Sequence, residues 1–312
     1  MKTTNNDEIG DLYGILEKPN IREVQFGLDK RFRTWYGITV YFANDRKSLG
    51  YKFKHSGTSE RNPEPNGDYF WLDTLLVCEY CFKYYDETDE FIAHERCCRY
   101  KRRPPGRIKY LSPEYSIRKV KGTKHELFCQ CLCLFTKLFL DNKSVYFRMT
   151  GYEFYILYET NSNKPLGFFS KDQYSYNRNN LACILVFPPY QRRNLGTLLI
   201  DFSYRLSKND GIISGPELPL SPFGLIGYLK FWSFSIAWHI TEGDLSDRHK
   251  ISLNTISEVT GIRVADVLTV LKHMQCLTEN DEILLPVVRR WAKDHNVERG
   301  FMLKEQYLVL ND

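Results

Sequence analysis

LACILVFPPYQRRNLGTLLIDFSYRLSKNDGIISGPELPLSPFGLIGYLKFW, residues 181–232, is the stretch that decides how this chain is read. The apolar run from Leu181 to Phe187 has the length and composition of a buried strand, and Pro188-Pro189 stops it. Leu195, Leu198, Leu199, Phe202 and Leu206 then recur at helical spacing, so a strand feeds a helix through Tyr190 to Thr197. The first backbone N–H groups of such a helix have no intrahelical partner and its dipole adds positive charge, while Arg192 and Arg193 add two guanidinium groups. A turn built this way favours a bound anion such as a pyrophosphate. Each charge-assisted hydrogen bond there is worth about 1.5–3 kcal/mol.

The nine cysteines are an odd number and fall in clusters, which argues against a disulfide framework and for a reducing compartment. Cys78, Cys81, His94 and Cys98 read C-x2-C-x12-H-x3-C, the spacing of a zinc site. A turn presents the first two thiolates, and Glu87 to Arg99 is predicted to be a helix on which His94 and Cys98 share one face. Cys97 points about a quarter-turn away. One such finger reads only about three base pairs, so a structural clip is the favoured role over DNA reading. The basic tract Lys101-Arg102-Arg103, with Arg107 and Lys109 beyond it, is a solvated face that offers at most weak, non-specific DNA contact.

With 312 residues, 43% hydrophobic and 15% aromatic, the chain can bury a substantial core. Its 43 basic and 38 acidic residues leave a net charge of only +5, compatible with a nucleosome or DNA partner but no demonstration of one. The N-terminus MKTTNNDEIGDLYG lacks an apolar signal region, and no run approaches the roughly 20 apolar residues of a membrane span, so a soluble intracellular protein with no membrane partner is expected. Along the chain, residues 1–20 read as a flexible tail, 21–116 as an N-terminal segment carrying the finger at 78–98, 117–240 as a core that holds the anion-favouring turn and 241–312 as a C-terminal segment. Residues 57–68 read as an exposed loop, 117–128 as a strand, Gln130 to Leu140 as a helix, and Val145 to Thr160 with Pro165 to Ser170 as a hairpin leading into the Cys183 strand.

The opening stretch resembles the acetyl-CoA motif of the MYST histone acetyltransferases, whose pattern is a strand with a central Cys, then Q-R-x-G-x-G, a helix and P-E-x-P-L-S. Here these are Cys183, Gln191-Arg192-Arg193-Asn194-Leu195-Gly196 and Pro216-Glu217-Leu218-Pro219-Leu220-Ser221. One residue departs: Asn194 stands where the family has its first glycine, at a turn that often needs positive φ. Leu138-Phe139-Leu140-Asp141-Asn142-Lys143 is similar to the family's L-F-L-D-x-K, and Gly167-Phe168-Phe169-Ser170-Lys171 to its G-Y-F-S-K. The finger also has its counterpart in the family, and the resemblance runs over residues 22–310, nearest to the short fungal SAS-type silencing branch.

What the resemblance implies is an α+β fold: a GNAT-like acetyl-CoA-binding core flanked by the zinc-finger module and a winged-helix-like segment. It implies a nuclear enzyme that moves an acetyl group from acetyl-CoA to a lysine of a histone tail, histone four in the SAS-type branch, within a complex of non-catalytic subunits. Glu217 is then the general base, in a Pro-flanked loop where an apolar wall would raise its pKa. Cys183 is a candidate carrier of a transient acetyl group, and Lys143 a self-acetylated residue. Backbone groups of Ile184, Leu185 and Val186 would pair with the pantetheine arm, the amides of Gln191 to Thr197 would hold the pyrophosphate, and Ser221 and Lys230 would lie near the cofactor. One structural zinc is expected on Cys78, Cys81, His94 and Cys98.

Ser252 to Pro286 reads as helix (Leu253 to Thr260), turn, second helix (Arg263 to Met274) and a short Ile283-Leu284-Leu285 strand, but the second helix is mostly apolar from Arg263 to Lys272, where a DNA reader would carry arginine, lysine or asparagine. It is expected to be a packing module forming one wall of the substrate groove. A competing expectation is a catalytically weak zinc and winged-helix chromatin-binding subunit, for which Asn194 leaves room.

Overall fold

The computed structural model describes residues 15–16, 18–43, 48–50, 70–140 and 148–310, which cluster into two compact units. The first is drawn from Met1–Gly106, Val120–Thr150 and Asn161–Pro165, the second from Arg107–Lys119, Gly151–Thr160 and Leu166–Asp312.

In the first unit, strands β1 (Ile15–Leu16) and β4 (Gly37–Ile38) pair antiparallel, and β2 (Ile21–Phe26), β3 (Lys30–Arg33), β5 (Leu72–Val77) and β6 (Tyr84–Tyr85) form a sheet in the order β3-β2-β5-β6. Strand β2 runs parallel to β5 and antiparallel to β3. The buried Asn20 stitches the chain ahead of β2 to β4, its amide donating to Ile38 O at 2.8 Å and accepting from Ile38 N at 2.9 Å. Leaving either group unpaired there would cost about 1–3 kcal/mol. Helix α1 (Thr88–Cys97) packs Phe91 against Leu76 and Tyr85, and helix α2 (Glu126–Lys137) stacks Phe135 on Phe26 with ring centroids 5.1 Å apart.

Two boundaries differ from the sequence expectation here. The strand expected over 117–128 ends at Lys121, and the helix begins four residues earlier than expected, at Glu126. The cause is Gly122, where a Cβ would stand 2.1 Å from Met149 O. The backbone turns at that close approach, with His125 N donating to Lys121 O, before Phe128, Cys129 and Leu132 enter the core.

The second unit is built on a five-stranded sheet in the order β11-β10-β9-β8-β7, from β7 (Arg107–Leu111), β8 (Tyr115–Lys121), β9 (Tyr152–Glu159), β10 (Pro165–Asp172) and β11 (Cys183–Val186). Strands β9 and β10 are buried along almost their whole length, which explains their near-continuous apolar sequence. Helix α3 (Leu195–Asn209) follows β11, and helix α4 (Pro222–Thr241) follows α3. Tyr204, Tyr228, Phe231 and Trp232 form the heart of this unit, and Trp232 Nε1 donates to Tyr204 Oη at 2.8 Å. Burying each Leu or Ile of that cluster contributes roughly 1.5–3 kcal/mol.

Helix α5 (Leu253–Thr260) starts at Ser252, whose Oγ accepts from Thr255 N, and stops at Gly261 with φ 75°. Helix α6 (Val264–His273) turns Val267, Val270 and Leu271 into the core, so the apolar character of this stretch is spent on packing. The strand expected at Ile283-Leu284-Leu285 is reduced to an isolated bridge between Leu277 and Ile283. Leu285 instead opens helix α7 (Leu285–Asp294), because Pro286 at its first turn suits a helix start and cannot donate to a ladder.

Candidate functional site

Strand β11 lies at the edge of its sheet, paired with β10 through Ser170–Cys183, Phe169–Ile184, Phe168–Leu185 and Gly167–Val186. Phe187 N donates to Leu166 O, and backbone groups alternate along an antiparallel pair, so those of Leu185 face β10 while those of Ile184 and Val186 face the outer edge. On that edge Val186 O accepts from Gln191 Nε2 at 3.0 Å, which ties the following turn to the strand.

The turn then makes two left-handed steps, Arg192 at φ 62° and Asn194 at φ 58°, with Asn194 as the N-cap of α3. The positive φ expected for the family's glycine is therefore present, and asparagine adopts it more readily than most residues do. Its side chain makes no capping bond to the helix; Asn194 Oδ1 instead accepts from Lys230 Nζ on α4 at 2.7 Å. Arg192, Arg193 and Asn194 are exposed, Leu195 is anchored in the core, and Gly196 and Thr197 are half-buried. Arg193 Nη2 reaches Tyr115 Oη at 3.4 Å. A Cβ on Gly196 would meet Val186 Cγ2 at 3.9 Å, an ordinary contact, so the chain itself leaves room for a side chain there. A glycine that its own protein does not require suits a ligand that needs backbone within reach.

Glu217 sits beside the same strand. Leu181 and Pro216 form a parallel bridge, and Glu217 N donates to Leu181 O at 2.8 Å, two residues before Cys183. Cys183 is half-buried and carries a free thiol. The carboxylate-bearing residue is exposed and lines a cavity of about 320 Å³ with Asp172, Tyr174, Tyr176, Asn177 and Arg263. The apolar wall expected around Glu217 is absent from these neighbours, which are mostly polar. Ser221 caps α4, its Oγ accepting from Gly224 N at 3.1 Å. Lys143 lies outside the described residues. Sequence reasoning missed Asp172, the two tyrosines, Asn177 and the role of Arg263 in this cavity; the polar run Ser175 to Asn180 was the available signal.

In the first unit, Cys78, Cys81, His94 and Cys98 bring their ligand atoms within 4.8 Å of one another. Cys78 and Cys81 stand on a tight turn in which Phe82 N donates to Cys78 O and Cys78 N to Lys83 O. Helix α1 supplies His94 but ends at Cys97, and Cys98 follows as its cap with extended ψ, so the fourth sulfur is delivered by the turn out of the helix. Cys97 is exposed and stands apart from the cluster, its Sγ facing His94 O. Hydrogen bonds from Cys78 and Cys81 hold the Cys98 thiol far below its usual range, while bonding to Cys81 and Cys98 pushes Cys78 far above. Three crowded sulfurs sharing their protons are the donor set a soft divalent cation would displace protons from, and the cluster resembles a zinc site.

An open strand edge leading into an anion cradle suits a nucleotide thioester, and a carboxylate on the adjoining loop suits an amine that must lose a proton; the second unit has the makings of an acyl-group transferase. The chain belongs to the MOZ/SAS family, whose family model matches residues 103–309. It is 58% identical over 302 residues to histone acetyltransferase SAS2 of Saccharomyces cerevisiae, covering 96% of this chain and 88% of that protein. Histone acetyltransferase MOF of Drosophila melanogaster is 41% identical over 225 residues, 71% of this chain and 27% of MOF. A histone acetyltransferase of the MYST family from Arabidopsis thaliana is 38% identical over 207 residues, 65% of this chain and 45% of that protein.

Proposed function

We infer that this chain is a MYST-type histone acetyltransferase of the SAS2-like kind, transferring acetyl from acetyl-CoA to a lysine of a histone tail, histone four in the first instance. The observation that carries this reading is the hydrogen bond from Glu217 N to Leu181 O, which sets a carboxylate beside the strand that leads into the anion cradle. An amine attacks a thioester carbonyl only when neutral, and a lysine with a pKa of about 10.4 needs a base near neutral pH. Glu217 takes that proton. Ile184 and Val186 present backbone groups along the open edge to the pantetheine arm, and Leu185 holds the strand to β10. The N–H groups of Leu195, Gly196 and Thr197 at the start of α3, with the turn from Gln191 through Arg192 and Arg193, receive the pyrophosphate. Lys230 adds an ammonium beside Asn194, and Ser221 fixes the start of the helix that carries it. Cys183 is the group to which the acetyl would pass first if transfer runs in two steps, its thiolate replacing CoA before the amine attacks; a Cys183→Ala chain that keeps its turnover assigns direct transfer instead. Lys143 is retained as the site of self-acetylation.

The fold we propose is a GNAT-like core built on the five-stranded sheet, which begins at Arg107 and so takes in β7 and the start of β8 that a boundary at 117 would cut off, with the finger segment before it and a winged-helix-like segment 241–312 formed by α5, α6 and the bridge after them. One zinc on Cys78, Cys81, His94 and Cys98 serves as a structural clip. Among the described residues no helix is long and apolar enough to cross a membrane. A nuclear location and non-catalytic partner subunits follow from a chromatin substrate.

Asn194→Gly is expected to tighten acetyl-CoA binding by at most one charge-assisted hydrogen bond, about 1.5–3 kcal/mol, with kcat little changed. Glycine releases the Lys230 ammonium, held by Asn194 Oδ1, for a phosphate; the left-handed turn is already formed in the chain itself, so its relief adds to fold stability and not to affinity. Calorimetric titration of both forms decides it, and weaker binding by the glycine form would mean that Asn194 is needed to hold Lys230 in the cradle.

A further inference from the structure

We propose that Arg263 is a positioning residue for acetyl transfer, clamping the Glu217 loop to the loop that follows β10; this rests on the assignment of Glu217 made above. Arg263 belongs to the turn between α5 and α6, far in sequence from the motif that carries Glu217. Its backbone neighbours reach that motif first: Ser214 N donates to Gly261 O at 3.0 Å, and Ser214 pairs with Ile262 in a parallel bridge. The guanidinium then spans two loops. Nη2 donates to Asn177 O at 2.7 Å and to Asn179 Oδ1 at 2.8 Å, and Nη1 donates to Pro216 O, immediately before Glu217, at 3.4 Å.

Three acceptors held by one planar fork fix an orientation that a point-charge ammonium cannot reproduce. The loops are pressed together as well as bonded. Asn180 N donates to Gly215 O at 2.9 Å, and a Cβ on Gly215 would come within 2.7 Å of Asp266 Oδ2 and 3.3 Å of the Arg263 side chain. Arg263, Asn177, Asn179 and Glu217 all line the same cavity, so a shift of the clamp moves both the base and the wall its acceptor must pass. None of these bonds reaches the cradle of Gln191 to Thr197, so the clamp acts on the chemical step and leaves acetyl-CoA affinity alone.

The test is Arg263→Gln and Arg263→Lys in the whole chain, each also combined with Glu217→Gln, with kcat and KM for a histone-tail peptide and the dissociation constant for acetyl-CoA. Because an ångström of misplacement can cost up to about a hundredfold in rate, the expected result is a kcat roughly ten- to a hundredfold lower in Arg263→Gln, and a smaller fall in Arg263→Lys. Acetyl-CoA binding should stay within about twofold, and Arg263→Gln should cost little more once Glu217 is already glutamine. Unchanged kcat in Arg263→Gln overturns the proposal, as does a full additive loss in the double variant. Failure of both single variants to fold or to bind acetyl-CoA overturns it too, since Arg263 would then be a part of the fold alone. Should Glu217→Gln itself turn over normally, the assignment of the base fails separately.

Discussion

Glu217→Gln should lower histone acetylation at pH 7 by roughly 10²–10⁴-fold, the range that one well-placed general base contributes. The side chain keeps its size, and the backbone bond from Glu217 N to Leu181 O that seats the loop is unaffected by the change. Acetyl-CoA affinity should therefore hold within a few-fold, since the cradle at residues 191–197 is untouched. The residual rate carries a signature in pH. Without the base, only the neutral fraction of the acceptor lysine reacts, and that fraction grows about tenfold per pH unit below its pKa of about 10.4. The variant's rate should climb steeply from pH 7 to pH 9 while that of the parent flattens. Near-normal turnover at pH 7 would remove Glu217 from the mechanism.

Loss of a finger ligand should be equally severe, and of a different kind. Cys81→Ser is expected to yield a chain that holds no zinc and does not fold, because structural zinc supplies on the order of 10 kcal/mol of binding free energy that is also folding free energy. The cluster has little to replace it with. Three of its four members are buried, so the leftover thiols and imidazole would have to be solvated or paired anew beside the Tyr85 ring, which packs on His94. Metal analysis with a thermal melt reads the outcome. Zinc-free Cys81→Ser protein that melted like the parent would show the metal to be dispensable for the fold.

How much could be read from sequence depended on whether the signal was local. The strand at Cys183, the turn and the helix from Leu195 were legible because their apolar spacing and their breakers sit within one short stretch. The C-x2-C-x12-H-x3-C cluster was legible for the same reason: spacing alone brings those atoms together. The start of α2 was misjudged because Gly122 is required by Met149 O, a contact made 27 residues away that no local pattern records. Leu285 was misplaced because a short apolar run fits a strand or a helix, and Pro286 lies in the first turn of the helix that Leu285 opens. Around Glu217 the sequence suggested an apolar wall; the fold instead brings in the polar loop after β10 and Arg263 from beyond α5, and neither adjacency is visible until the chain has folded. The link from Lys230 to Asn194 is of the same long-range kind, and it shows where the one departure from the family's loop found a partner.

Acetyl transfer to histones is the activity the site predicts. Incubating the zinc-loaded chain with radiolabelled acetyl-CoA and mixed core histones, then separating the histones, tests it directly. The prediction is label on histone lysine, foremost on histone four, that disappears with Glu217→Gln. A chain that binds acetyl-CoA and keeps its zinc yet leaves every histone unlabelled, free or in nucleosomes, would contradict the account and favour a chromatin-binding subunit.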